Sequence, residues 1–241
     1  MTNQIISERH TTNDLAGTPP VFRRLEIACI VAFPIAAGAL SWRVWGAFQG
    51  SYALLLAAAL TGYLASDFLS GVFHWFFDTW FSPDTPFIGR AFVRTFREHH
   101  VDPDAICRHD FVETNGSNML AGSFVMACGL CAEADYAAGA LLSSGLFLSV
   151  TSQIHKWAHA QRVPRLVGWL QRRGIILSKK AHDVHHRAPY DKAYCITSGW
   201  LNPLLRRLDF FRALERLIHG VTGALPRRDD LERATARQGD A

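Results

Sequence analysis

The sequence predicts an all-α fold, a polytopic membrane bundle of about four helices with a histidine-rich cap on its cytoplasmic side. Three observations carry this expectation. Apolar residues make up 49% of the 241-residue chain and are bunched into long runs. Lys and Arg gather in segments that alternate with turns carrying none. Nine of the eleven histidines fall between positions 74 and 186, several at or near the ends of the apolar runs.

Residues 1–24 are largely polar, include Gly17-Thr18-Pro19-Pro20, and are expected to form a disordered tail. They lack the apolar core and cleavage site of a signal peptide. A spanning helix needs about 20 mostly apolar residues. The first such run extends from about Glu26 to Phe48, with Pro34 tolerated as a kink. The second starts near Ser51 and continues to Trp80, so its C-terminal half is expected to project into the interface. The third, about Asn118 to Ala132, is short and ends at the polar turn Glu133-Ala134-Asp135. The fourth runs from about Tyr136 to Trp157, and a re-entrant pair is the alternative for these last two. Pro164, Pro189, Pro203 and Pro226 predict short helices and turns after residue 160. One membrane domain over 25–226 is expected, followed by a charged tail over 227–241.

The net charge of +4 is modest, and no basic stretch has the density of a nucleic-acid arm, so no nucleic-acid partner is expected. The basic residues read instead as topology signals and lipid-phosphate contacts. Arg23 and Arg24 precede the first span; Arg90, Arg94, Arg97 and Arg108 lie between the second and third. Arg162, Arg165, Arg172, Arg173, Lys179 and Lys180 follow the fourth. With four spans, all these segments fall on one side, which the positive-inside rule makes cytoplasmic, together with both termini and the histidines. The five cysteines are odd in number and show no disulfide framework. Cys128-x-x-Cys131 lies in an apolar run and reads as buried packing.

In the second span, Asp67, His74 and Asp78 recur at helical spacing and share one face. Ionisable residues in a membrane segment are costly and face the bundle interior, which makes them functional candidates. His74 reads as a metal ligand. The aspartates read either as groups that orient a histidine or, for Asp78 beside Trp75 and Trp80, as interfacial polarity. His155 and His159 stand four apart on one helix face and can reach a single ion. His182-x-x-His185-His186 puts three imidazoles within five residues, and Glu98-His99-His100 answers it from another loop. These are eight candidate ligands, with His109 a ninth. One zinc takes about four ligands, so eight or more donors suggest two ions, and imidazole suits iron, zinc or copper. No His-Glu-x-x-His and no Cys-x-x-Cys-His occurs, which removes the matching metalloprotease and c-type haem signatures. His10 and His219 lie outside the clusters and read as surface residues.

The run from Asp67-Phe68 through His74-Trp75 to Asp78-Thr79-Trp80 resembles a signature of the Kua/CarF family. Phe96-Arg-Glu-His-His-Val-Asp-Pro103, Arg108-His-Asp-Phe-Val-Glu-Thr-Asn-Gly116 and Gln153-Ile-His-Lys-Trp-Ala-His159 continue the resemblance. His182-x-x-His-His186, Tyr194-Cys-Ile-Thr-Ser-Gly-Trp-Leu-Asn202 and Leu214-Glu-Arg-Leu-Ile-His-Gly-Val-Thr-Gly223 complete it over roughly residues 60–230. The resemblance implies a plasmanylethanolamine desaturase, which forms the vinyl ether of a plasmalogen by 1,2-desaturation of an sn-1 alkyl chain. It also implies two iron ions, O₂ and an external electron donor such as ferredoxin or cytochrome b5, since no flavin or nicotinamide fingerprint is present. His109 is not kept in the family's plant branch, which leaves its ligand role less certain than the other eight. Arg94, Arg97, Arg108 or Arg187 is expected to hold the substrate phosphate, or to serve as a topology charge. Asn115 reads as a group bonding a metal-bound water, or more simply as a helix N-cap. The alternatives are an acyl-chain desaturase acting on phosphatidylglycerol, a zinc-dependent membrane hydrolase, and a non-catalytic metal-binding signalling protein.

Overall fold

The computed structural model describes residues 20–227, apart from 87, 90–92 and 188. Among the described residues the regular elements are helices, and no strand forms. Four are long: α1 (Pro20–Ala47), α2 (Tyr52–Thr79), α5 (Phe111–Cys131) and α6 (Asp135–His159). Between α2 and α5 lie the short helices α3 (Arg94–Val101) and α4 (Ala105–Arg108). After α6 come α7 (Arg165–Arg172), α8 (Lys179–His182), α9 (Asn202–Arg207) and α10 (Phe210–Thr222), which close one end of the bundle. The all-α bundle with a histidine-rich cap is therefore as expected.

α1, α2 and α6 are long and apolar enough to cross a membrane. The third expected span is different. α5 starts at Phe111, well before Asn118, and its first two turns carry Glu113, Thr114, Asn115, Ser117 and Asn118. Those polar side chains lower its apolarity, yet the helix packs along both α1 and α6. Its polar turns face neighbours rather than lipid: Thr114 and Asn115 are buried, and Asn118 donates to the Leu148 carbonyl at 3.0 Å. The cap of α5 is Asp110, whose Oδ1 accepts from the Glu113 amide at 3.0 Å. The capping expectation for Asn115 is thus corrected. It sits inside the helix, where its Nδ2 donates to the Phe111 carbonyl at 3.0 Å.

α1 begins at Pro20, so residues 20–24 are helical and not tail; a proline at the first helical position is pre-set for helix entry. The helix runs through Pro34 to Ala47. Residues 1–19, with His10, and 228–241 lie outside the described residues. Arg227, the first residue of the expected charged tail, donates its amide to the Thr79 carbonyl at 2.9 Å and its guanidinium to the Phe81 carbonyl.

α6 holds the bundle together by close approach. A Cβ at Gly122 would meet the Gly145 carbonyl oxygen at 2.7 Å, and one at Gly62 would overlap the Ala140 carbonyl. Small residues of this kind let membrane helices approach closely, where lipid supplies no hydrophobic drive between them. Ser143 Oγ adds a hydrogen bond to the Ala59 carbonyl at 2.7 Å. At the end away from the histidines, Leu40, Val44, Phe48, Ala58, Met126 and Ala138 form an apolar core. There Arg43 donates to the Gly129 and Leu130 carbonyls at 2.8 and 2.9 Å and also to Ala132, satisfying the open end of α5. Leu54, Leu56, Leu60, Phe124 and Leu146 point outward, as lipid-facing side chains do. Cys128 and Cys131 are exposed free thiols on that outer surface, which corrects the expectation of buried packing.

Asp110 ties two elements, because it also receives both guanidinium nitrogens of Arg23 from α1 at 2.8 and 2.6 Å. The Arg23 hydrogen bonds hold its carboxyl down at about 2, from an ordinary 3.8. A depressed carboxyl stabilises above its unfolded value and ceases to do so as pH falls through the folded one. Asp110→Ala should lower stability by about 1 kcal/mol, the usual worth of a side-chain N-cap. Unfolding in detergent should show the full difference at neutral pH, shrinking as pH falls from 3.8 towards about 2.

Candidate metal centre

The C-terminal half of α2 presents Asp67, Ser70, Gly71, His74 and Asp78, all buried. The segment Tyr194–Asn202 lies directly on this face. A Cβ at Gly71 would come 2.6 Å from Cys195 Sγ, so only glycine lets the segment approach so closely. Asp67 fixes it: Oδ1 accepts the Ser198 and Gly199 amides at 2.7 and 2.9 Å, and Oδ2 the Leu201 amide at 3.1 Å. Ser70 Oγ accepts the Ile196 amide at 3.0 Å, and Asn202 pairs with both backbone groups of Cys195. From α6, Thr151 Oγ1 meets Thr197 Oγ1 at 2.8 Å. Asp67 therefore holds backbone and orients a histidine only at second hand.

That second-hand effect is concrete. The clamped segment aims the Tyr194 carbonyl at His74, whose Nδ1–H donates to it at 3.0 Å. His185 Nδ1 donates to the Lys192 carbonyl at 2.9 Å, and His99 Nδ1 to the Thr95 carbonyl at 3.2 Å. A carbonyl can only accept, so each bond fixes the proton on Nδ1 and turns an Nε2 lone pair inward.

The inward atoms form two groups that share His99. One holds His99, His155, His159, His182 and His186; the other holds His74, His99, His100 and His185. In the first, His182 Nε2 lies 2.8 Å from His155 Nε2, 2.9 Å from His159 Nε2 and 3.0 Å from His186 Nε2. His155 and His159 are 3.2 Å apart at the same atoms, which fulfils the i,i+4 geometry of α6. In the second, His100 and His185 approach to 2.9 Å at Nε2. Asp78 Oδ2 lies 3.2 Å from His74 Nε2 and 3.4 Å from both His100 and His185 Nε2.

These donors fit a metal. Imidazole nitrogens about 2.1 Å from one ion lie roughly 3 Å apart when adjacent. His74 Nε2, His99 Nε2 and both Asp78 oxygens are buried with no hydrogen bond, a costly state that an ion relieves. Burial, reinforced by neighbouring imidazoles, drives His99 and His182 well below the usual histidine range and His186 to about 2. Neutral imidazole is the form that binds metal.

Two cavities reach this centre. One opens between α1, α3, α5 and α6, with Glu26, Arg94, His109 and Glu113 on its wall beside His99 and His155. The other lies under α10, with Asp78, His100, Tyr194 and Arg212 on its wall. The eight principal histidines all belong to the two groups, and His109 belongs to neither; its Nε2 lies 3.9 Å from Glu113 Oε1. Arg97 is buried with Nη2 3.5 Å from the Phe81 carbonyl, Arg108 engages Asp102 at 2.6 Å, and Arg187 is exposed. Of the expected phosphate-binding arginines only Arg94 lines the first cavity, where it meets Glu113 at 2.7 Å. His219 is exposed, as expected. The carbonyls of Tyr194, Lys192 and Thr95 escape sequence reasoning because a backbone oxygen carries no residue-type signal. Trp75, read as interfacial, is instead buried under α10 with its Nε1 on Glu215 at 3.1 Å.

A helical membrane bundle that gathers eight buried or half-buried imidazoles at one end is a membrane metalloprotein. Residues 63–229 match the lipid desaturase domain family, and the chain belongs to that family, which bears out the resemblance seen in its motifs. It is a desaturase, an oxidoreductase. It is 47% identical over 226 residues to plasmanylethanolamine desaturase of Myxococcus xanthus, covering 92% of this chain and 80% of that one. Identity to plasmanylethanolamine desaturase 1 of Mus musculus is 44% over 190 residues, covering 74% and 70%. Chloroplastic fatty acid desaturase 4 of Arabidopsis thaliana is 33% identical over 192 residues, covering 78% and 59%. No solved structure matches the fold.

Asp67→Ala should leave three amides without their acceptor, that of Ser198 buried and those of Gly199 and Leu201 partly buried, and destabilise the protein by about 3 kcal/mol. Thermal unfolding measures this, and metal content of the purified variant should fall with it. A variant of wild-type stability would show that the segment is held by other means.

Proposed function

We propose that the chain is a diiron desaturase that forms the vinyl ether of plasmalogens by O₂-dependent 1,2-desaturation of the sn-1 alkyl chain of plasmanylethanolamine. The observation that carries this reading is the pair of imidazole groups sharing His99, in a chain 47% and 44% identical to proteins named for that activity. Two iron ions held by these imidazoles would supply, with O₂, the oxidant for an unactivated C–H bond. The alkyl carbons lose two hydrogens, a donor supplies two electrons, two protons are taken up, and O₂ leaves as two waters. Ferredoxin or a b5-type cytochrome is the donor class.

The protein's own share is placement. His74, His99 and His185 keep their protons on Nδ1 through the carbonyls they face, so their Nε2 atoms remain ligands. Asp78 Oδ2 stands among three Nε2 atoms and serves the same group, as a ligand or as the carboxylate that steadies it. The cavity beside His99 and His155 receives the glycerol end of the lipid, because the carbons that react adjoin the ether oxygen. Arg94 on its wall is the arginine best placed for the phosphate. The basic segments lie at the histidine end of the bundle, and by the positive-inside rule that end is cytoplasmic.

Cells fed alkylglycerol and expressing the chain should accumulate acid-labile vinyl ethers, and His185→Ala or Asp78→Ala should lower them more than about tenfold. Full vinyl-ether levels in His185→Ala would remove it from the ligand set. Protein that holds zinc alone and turns over without O₂ would identify a hydrolase instead. A product desaturated in an ester-linked acyl chain would favour the acyl-lipid reading.

A further inference from the structure

A carboxylate from α1 stands at the junction of two adjoining cavities. The first is apolar and lies between α1 and α5, with Phe22, Leu25 and Leu120 on its wall. The second continues inward to His99 and His155. Glu26 and Ser117 line both. Leu25 and Leu120 are exposed on the outer surface, so the path starts where lipid chains lie and ends at the metal groups. The junction is tight: a Cβ at Gly116 would come 2.4 Å from Glu26 Cβ.

Glu26 differs from the charges around it. Arg23 is committed to Asp110 at 2.6 and 2.8 Å, and Arg94 meets Glu113 at 2.7 Å. Glu26 Oε2 is buried and makes no hydrogen bond. A carboxylate in a membrane segment is expensive to leave so, and a cation entering the cavity offsets that expense. The position also constrains the cation. Carbons one and two of an sn-1 chain adjoin the glycerol, so a lipid placed for reaction brings its headgroup into this same cavity.

We propose that Glu26 binds the primary ammonium of the phospholipid headgroup and so sets headgroup specificity, an inference that rests on the ether-lipid reading above. A primary ammonium offers three N–H donors to the carboxylate. A trimethylammonium offers none and is bulkier, so it leaves Oε2 unsatisfied.

The test uses the full chain in nanodiscs containing equal amounts of alkyl-acyl phosphoethanolamine and alkyl-acyl phosphocholine, with native mass spectrometry reading the retained lipid. Wild type should prefer the ethanolamine lipid, and Glu26→Gln should reduce that preference about tenfold, the worth of one charge-assisted hydrogen bond. Glu26→Asp should retain part of it. Equal retention of both lipids by wild type, or an unchanged preference in Glu26→Gln, overturns the proposal. A second measurement needs no variant: retention by wild type should fall across the mono-, di- and trimethylated ethanolamine lipids, and a flat series overturns it. Failure of the ether-lipid reading looks different, since wild type would then make no vinyl ether in cells whatever it retains in nanodiscs.

Discussion

Imidazole nitrogens held 2.8–3.2 Å apart around His182 are the constraint from which the rest of the structure follows. A proton shared between two nitrogens satisfies one pair, but it cannot satisfy four converging lone pairs at once. A cation at the centre can. Every ring must then be turned so that its lone pair, and not its N–H, points inward. In the group that includes His74, backbone carbonyls set that rotation from outside. The cap, with Asp67 pinning its buried segment to α2, is therefore an aiming device as much as a lid.

The bundle supplies stiffness for that aim. Its helices meet through Gly62, Gly122 and Gly145, where backbone touches backbone and little side-chain rotation can loosen the contact. Imidazoles on α2 and α6 inherit that rigidity, whereas those on α3 and around α8 depend on hydrogen bonds made by the cap. Placing the centre at the bundle's end also suits the proposed chemistry. Carbon atoms beside an ether oxygen sit at headgroup depth, not at mid-bilayer, so a site buried deeper would meet the wrong methylenes.

Much of this was legible in the sequence, for physical reasons that differ by residue. Histidine is too polar to crowd together by accident, so His155-x-x-x-His159 and His182-x-x-His185-His186 announced a shared cluster. Apolar runs announced α1, α2 and α6. The start of α5 was hidden because Thr114, Asn115 and Asn118 look like loop residues until their neighbours are known. Cys128 and Cys131 misled for the opposite reason: in a bilayer the outer face is as apolar as the inner one, so apolarity does not tell inward from outward. Asp67 and Asp78 share a face and a residue type, yet one clamps backbone and the other faces imidazoles. Spacing alone has no means to separate those tasks.

The bond between His74 and Tyr194 joins residues 120 positions apart. Contacts of such long sequence separation close late, because much of the chain must be ordered before they form. As the ribosome makes this chain, α2 and α6 exist before the carbonyl that orients His74 has been synthesised. A nascent chain therefore has most of the clustered histidines in place while their geometry is still unset. A chain that stopped after His186 would carry all eight clustered imidazoles and lack the Tyr194 and Lys192 carbonyls that orient His74 and His185.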